Sequence, residues 1–160
     1  MAVTMGQGAS KPETTSPTIQ AAKEPFMGIV RELTRAYQVF SAYSDTHARQ
    51  LGLTPPQFDV IATLGNTKGM TMNRLGEKTL VTKGTLTGIV DRLEQKGLVR
   101  REVPEKNRRS FLVVLTSTGE ELFEEVFPVH IAHLKERFAQ LSPQEMEEVC
   151  VALRRLRSLF

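Results

Sequence analysis

The 160-residue sequence predicts a mainly α-helical fold with one small β-hairpin. Three observations carry that expectation. Apolar residues recur at steps of three and four over most of the chain, cap and terminator residues sit at the ends of those stripes, and one pair of β-prone runs is joined by a polar, basic turn. With 40% hydrophobic residues, the chain can build one core plus long helices left over for a second purpose.

The start, Met1 to Pro17, is rich in Gly, Ser, Thr and Pro. It lacks both the basic and the apolar region of a signal peptide, so residues 1–18 are expected to be a disordered tail. Phe26, Ile29, Val30, Leu33, Tyr37, Phe40, His47, Ala48 and Leu51 then follow as the buried stripe of one long helix, and Gly52 supplies a left-handed terminator. Thr54-Pro55-Pro56-Gln57 combines an N-cap, a proline in the first turn and a capping-box glutamine. A second helix is therefore expected to run from there to Gly65, with Phe58, Ile61 and Ala62 inward.

Thr71 caps a short third helix in which Met72 and Leu75 point inward, and Thr79, Leu80 and Val81 make the bend out of it. Thr82 caps a fourth. In that helix Leu86, Ile89, Val90 and Leu93, at offsets 0, 3, 4 and 7, define one buried face, and Gly97 ends it. Thr85, Arg92 and Gln95 lie opposite, flanked by Lys83 and Thr87. Leu98 to Val103 and Phe111 to Leu115 are the β-prone runs, joined by Pro104-Glu105-Lys106-Asn107-Arg108-Arg109. A further helix starts in Thr116 to Glu120, carries Leu122, Phe123, Val126 and Phe127, meets an expected kink at Pro128 and resumes through Ile131, Leu134 and Phe138. Ser142-Pro143-Gln144-Glu145 opens a last helix with Met146, Val149, Cys150, Leu153 and Leu156 on one stripe.

The net charge is only +3, but its distribution is uneven: residues 71–110 hold ten basic and five acidic side chains. That window spans two short helices joined by a tight turn and the hairpin after them, the order of a winged helix-turn-helix. The first turns of the second helix offer Thr82, Lys83, Thr85 and Thr87, short or cationic groups beside backbone N–H groups that favour phosphate. Gly84 and Gly88 cost roughly 1 kcal/mol each relative to alanine in a helix, which either close approach of a duplex or packing against a neighbouring helix would explain. The candidate DNA contacts are Thr71, Arg74, Thr82, Lys83, Thr85, Thr87 and Arg92, with Lys106, Arg108 and Arg109 at the hairpin tip.

Four motifs in order make the chain resemble the MarR family of regulators over about residues 25–158. Leu51-Gly52-Leu53-Thr54-Pro55-Pro56-Gln57-Phe58 is similar to that family's entry to its second helix. Thr82-Lys83-Gly84-Thr85-Leu86-Thr87 through Val90-Asp91-Arg92-Leu93-Glu94-Gln95-Lys96-Gly97-Leu98-Val99 resembles its recognition helix and first wing strand. Arg108-Arg109-Ser110 and Val114-Leu115-Thr116-Ser117-Thr118-Gly119 resemble the wing and the start of the next helix. One departure is Asn107, where the family's wing usually carries an Asp two residues before its Arg, here Arg109.

The resemblance implies a winged helix-turn-helix with long N- and C-terminal dimerisation helices, about 19–51 and 117–160, around a DNA-binding lobe of about 54–116. The helix-turn-helix would occupy about 71–96 and the wing about 98–115. The implied function is that of a repressor binding palindromic double-stranded DNA as a homodimer and released by a small aromatic or lipophilic effector. Ile19, Phe26, Ile29, Val149, Leu153, Leu156 and Phe160 are the candidate dimer contacts, because the terminal stripes exceed what one small lobe needs. Tyr37, Phe40, Tyr43 and Phe58 are the candidates to line an effector cleft.

His130 and His133 stand one turn apart, with His47, Asp45 and Cys150 elsewhere in the sequence; these read as surface or interface histidines, so no metal and no cofactor is expected. Cys150, the single cysteine, allows no internal disulfide and no CxxC site, which fits a reducing cytoplasm and an inert packing role. No apolar run approaches the ~20 residues of a membrane span. The sequence holds no Ser, His and acid grouping or phosphate-cradling Gly-rich loop, so no catalytic residue is assigned. The alternatives to a ligand-released repressor are a winged-helix protein-interaction adaptor and a metal-responsive regulator.

Overall fold

A computed structural model describes residues 16–103 and 111–160. They form two compact units, one ending at Phe40 and one beginning at Ser41. The first contains α1 (Pro17–Ala21) and the N-terminal part of α2 (Met27–Gln50). Pro25 and the turn around it separate these helices, and the Arg31 guanidinium donates to the Ala22 carbonyl at 3.1 Å. Phe26, Ile29, Val30, Leu33, Tyr37, Val39 and Phe40 are all exposed.

The second unit opens with the last turns of α2, which end at Gly52. Gly52 has φ 80°, and hydrogen bonds from Gly52 N to Arg49 O (3.0 Å) and from Leu53 N to Ala48 O (3.2 Å) complete the termination. Helix α3 (Pro55–Leu64) follows directly, its Gln57 side chain accepting from Thr54 N–H at 3.2 Å. Next come β1 (Met70–Thr71), α4 (Met72–Lys78), α5 (Lys83–Gln95), β2 (Val99–Glu102), β3 (Leu112–Leu115), α6 (Ser117–Phe138) and α7 (Pro143–Arg157). The strands make an antiparallel sheet in the order β1-β3-β2, with Val99 opposite Leu115 and Met70 opposite Val113.

One core fills the space between α3, α4, α5, the sheet and the start of α6. Val60, Ile61, Leu64, Leu75, Leu86, Val90, Leu93, Val99 and Val113 are almost completely buried, and Phe123 and Val126 close it from α6. Gly97 ends α5 with φ 71°, Leu98 N donating to Leu93 O at 2.9 Å. Gly119 lets the first turn of α6 lie against the chain entering β2, since a Cβ there would stand 1.9 Å from the Leu98 carbonyl oxygen. The Thr116 hydroxyl donates to Gly97 O at 2.5 Å and accepts from Gly119 N–H at 3.1 Å, tying the same junction.

The structure corrects two expectations of burial. The apolar stripe of the first long helix is not buried within this chain; of its residues only Ala48 is. Helix α7 likewise has no buried residue, and Cys150 on its stripe is exposed. Helix α6 runs from Ser117 to Phe138 with Pro128 inside it, at the position where the sequence leads one to expect a kink. The pairing of β1 with β3 was not anticipated: two residues, Met70 and Thr71, carry too short a pattern to announce a strand.

Candidate nucleic-acid interface

Helices α4 and α5 and the turn between them project one face away from the core. Thr71 caps α4, its hydroxyl accepting from Arg74 N–H at 3.4 Å, and Arg74 is exposed in the first turn. The Thr79 hydroxyl donates back to Leu75 O at 2.9 Å, ending α4. Leu80 N–H then donates to the Asp59 carboxylate on α3 at 2.8 Å, which pins the turn to the helix beneath it. Partial burial pushes the Asp59 carboxyl above its ordinary range, and the Leu80 bond pulls the other way.

Thr82 sits at the cap position of α5, but its hydroxyl pairs with that of Thr85 at 2.9 Å. The helical ladder starts with the bonds from Thr85 N and Leu86 N to Thr82 O, so the N–H groups of Lys83 and Gly84 lie ahead of it. Leu86, Ile89, Val90 and Leu93 are buried, as the spacing predicts. At 3.6 residues per turn, Gly84, Gly88 and Gln95 lie opposite that face, with Lys83 and Thr87 on one flank and, as a correction to their expected place opposite it, Thr85 and Arg92 on the other. Thr82, Lys83, Thr85, Thr87 and Arg92 are all exposed. Apart from the adjacent residues and α5's own backbone, no atom of the described residues lies within 4 Å of the position a Cβ would take at Gly84 or at Gly88, so packing against a described neighbouring helix does not explain either glycine.

The link from α5 to the hairpin was missed in the sequence. Arg101 on β2 pairs with Asp91 at 2.5 Å and with Glu94, both on α5, while its own N–H donates to Glu94 at 3.2 Å. Hydrogen bonding to Asp91 is the largest cause of its raised pKa, and the guanidinium lies 5.5 Å from the Phe111 ring centroid. The spacing of Asp91 and Glu94 on one helical face was the available signal. Arg100 is taken up by Glu102 at 2.5 Å and by Leu115 O at 3.3 Å. Among the described residues, Lys83, Arg92 and Arg74 enter no ion pair. Lys106, Arg108 and Arg109 lie outside the described residues; β2 and β3 lead to and from them.

The remaining candidates are distributed over both units. Ile19, Phe26 and Ile29 in the first and Val149, Leu153 and Phe160 in the second are exposed, while Leu156 is half-buried. Tyr37 and Phe40 belong to the first unit and are exposed; Tyr43 and Phe58 belong to the second and are half-buried. All three histidines meet where the end of α2 crosses α6 beside α3, which their distance in sequence concealed. The His47 and His133 rings lie flat on one another at 3.9 Å and 6°, so their nitrogens do not converge on a common point. Among the described residues no group of three or more His, Cys, Asp or Glu is placed to hold a metal ion. No helix is long and apolar enough to cross a membrane, again among the described residues.

Comparison with known proteins agrees with this geometry. Residues 51–110, from the residue after α2 through β2 and up to the segment before β3, match the model of the MarR family. The HTH-type transcriptional regulator MhqR of Bacillus subtilis is 32% identical over 124 residues, covering 78% of this chain and 86% of the relative. The crystal structure of AbsC, a MarR family transcriptional regulator from Streptomyces coelicolor, superposes with a TM-score of 0.73 at 27% identity over 89% of this chain and 94% of that one. BpsR of Bordetella bronchiseptica, whose DNA binding is regulated by 6-hydroxynicotinic acid, gives a TM-score of 0.71 at 26% identity over 85% of this chain and 94% of that one. With a helix-turn-helix that turns a glycine-lined, threonine- and lysine-bearing face outward, and with relatives matched along most of their length, this chain belongs to the MarR family of winged helix-turn-helix transcriptional regulators.

Proposed function

We propose that the protein is a repressor that binds a palindromic operator as a homodimer and leaves it when a small aromatic or lipophilic effector binds. The outward face of α5 carries the reading: Lys83, Thr85, Thr87 and Arg92 surround open space above Gly84 and Gly88, on a helix whose other side is locked into the core. In this proposal Thr82, Lys83, Thr85 and Thr87 meet base edges and nearby phosphates, while Arg74 and Arg92 meet the backbone on either side. Thr71 acts through Arg74, whose helix it caps. The hairpin tip with Lys106, Arg108 and Arg109 reaches along the duplex, and the Arg101 bridge sets the hairpin's angle to α5.

Two-fold pairing is supported by the apolar residues that α2 and α7 leave exposed, Phe26, Ile29, Val149 and Leu153 among them. A homodimer presents two such helices to two half-sites about one turn of duplex apart. Effector release is supported by BpsR, whose DNA binding responds to a small aromatic acid. Tyr43 and Phe58 remain the candidates for contacting a ligand within the second unit, and Tyr37 and Phe40 on the preceding turns of α2.

The test is binding to the DNA flanking the protein's own gene, followed by fluorescence anisotropy at several salt concentrations. Logarithmic affinity should fall linearly with logarithmic salt. Lys83→Ala with Arg92→Ala should lose about 1–3 kcal/mol of binding per contact and flatten the salt slope by about 1 for each phosphate contact removed. Equal binding by the double variant and the parent would overturn the proposal.

A further inference from the structure

His130 is the least exposed ionisable side chain among the described residues, at 4%, and each of its ring nitrogens is engaged. Its Nδ1 stands 2.9 Å from Nδ1 of His47, and its Nε2 stands 3.1 Å from the Ser44 hydroxyl. The Phe58 ring of α3 covers it at 4.4 Å between centroids. His47 is stacked on His133, and His133 is stacked on Tyr43 at 4.1 Å, while the Tyr43 hydroxyl donates to the His133 carbonyl at 3.0 Å. The seam between the last turns of α2 and the middle of α6 is thus built largely from imidazoles.

Counting protons shows what that seam tolerates. One hydrogen must lie between the two Nδ1 atoms, donated by one ring and accepted by the other. In the neutral pair the accepting ring keeps its own hydrogen on Nε2. A first added proton goes to Nε2 of the donating ring and leaves the Nδ1 contact intact. If that ring is His130, its Nε2 then donates to Ser44, whose hydroxyl can serve as donor or acceptor. A second proton has only the accepting Nδ1 left, and two N–H groups then face one another across 2.9 Å.

We infer that the His47–His130 couple is a proton-operated latch on the α2–α6 seam, holding with one added proton and opening with the second. The charged groups around it do not cancel this. On α6, Glu136 draws a proton toward His47, but His133 opposes it and is the stronger influence; the Arg137 guanidinium sits 5.0 Å from the centroid of the Tyr43 ring. From α2 the seam receives Tyr43 and His47, and from α3 it receives the uncharged Phe58. Burial, with mutual repulsion of the histidines, lowers the affinity of both His47 and His130 for protons.

The unfolded chain therefore binds more protons than the folded one once pH drops below about 6.5, so stability present at neutral pH is lost as pH falls through that value toward the lower folded-state ones. The experiment uses the full chain without DNA, so its outcome is separate from that of the function proposed above. Imidazole nitrogen resonances are followed by NMR from pH 8 to 5, about the range where histidine titrates, and urea unfolding is measured over the same range. The latch predicts that His47 and His130 titrate below the free value in coupled steps. It also predicts a folding constant that drops by up to about tenfold per pH unit for each proton excluded, with a shallower slope in His47→Gln. Independent titration of all three histidines at the free value, or an unchanged slope in His47→Gln, would overturn it. If His47→Gln does not fold, the parent's NMR titration decides alone.

Discussion

Gly88 offers a substitution whose effects on folding and on DNA binding have opposite signs. The residue lies inside α5, opposite its packed face, and apart from the adjacent residues and α5's own backbone no atom of the described residues stands within 4 Å of where an alanine Cβ would be. Alanine at an interior helical position is favoured over glycine by about 0.8–1 kcal/mol, and here no steric cost offsets the gain. For a protein of this size that corresponds to a rise of about 2–4 °C in Tm. In the proposed reading of α5, the same methyl group would occupy the space through which a duplex approaches the helix backbone. Losing one groove contact costs about 1–3 kcal/mol, or roughly 5- to 150-fold in affinity. Thermal melting by circular dichroism and anisotropy titration with duplex DNA, on the same preparation of Gly88→Ala, read both quantities. A higher Tm with unchanged affinity would refute the idea that the glycine makes room for DNA. A lower Tm would refute the reading of the space as open.

Three further outcomes follow from the same physical accounts. Gly119→Ala should destabilise the fold, because its Cβ meets the Leu98 carbonyl at 1.9 Å and overpacking of about 1–3 kcal/mol exceeds the helical gain; urea unfolding measures it. Arg101→Met, which keeps the side-chain stem but releases Asp91 and Glu94, should cost about 1 kcal/mol at low salt. High salt should shrink that loss, as unfolding at two ionic strengths will show. Asp59→Ala should leave Leu80 N–H without its acceptor, at a cost of about 1–2 kcal/mol with faster amide exchange at Leu80, whereas Asp59→Asn keeps an acceptor without burying a charge and should be close to neutral.

Much of the fold was legible because its signals are local. Thr71 and Ser142 accept from the backbone three residues on, Gln57 and Glu145 reach back to their caps, and Gly52 and Gly97 take the left-handed conformation that their positions predicted. The buried face of α5 was equally plain, since four apolar residues at helical offsets leave one way to orient the helix. What escaped depends on partners far along the chain. Met70 and Thr71 become a strand only through Val113 and Leu112, and His47 meets His130 across 83 residues. Arg101 was one cation among several in a basic window until β2 brought it beside Asp91 and Glu94. The stripes of α2 and α7 teach a different lesson: periodicity identifies an apolar face but not what covers it, and within this chain Ile29 and Val149 are left exposed.

Selection from random duplex DNA by the purified protein, followed by sequencing of the recovered fragments, tests the reading face most directly. The parent should recover a two-fold symmetric motif with half-sites about 10 base pairs apart between centres. Lys83→Ala with Thr85→Ala should lose that motif while retaining the parent's circular dichroism and size in solution, since both side chains are exposed. Recovery of the same motif by the variant, or of no motif by the parent, would contradict the assignment of α5 as the element that reads DNA.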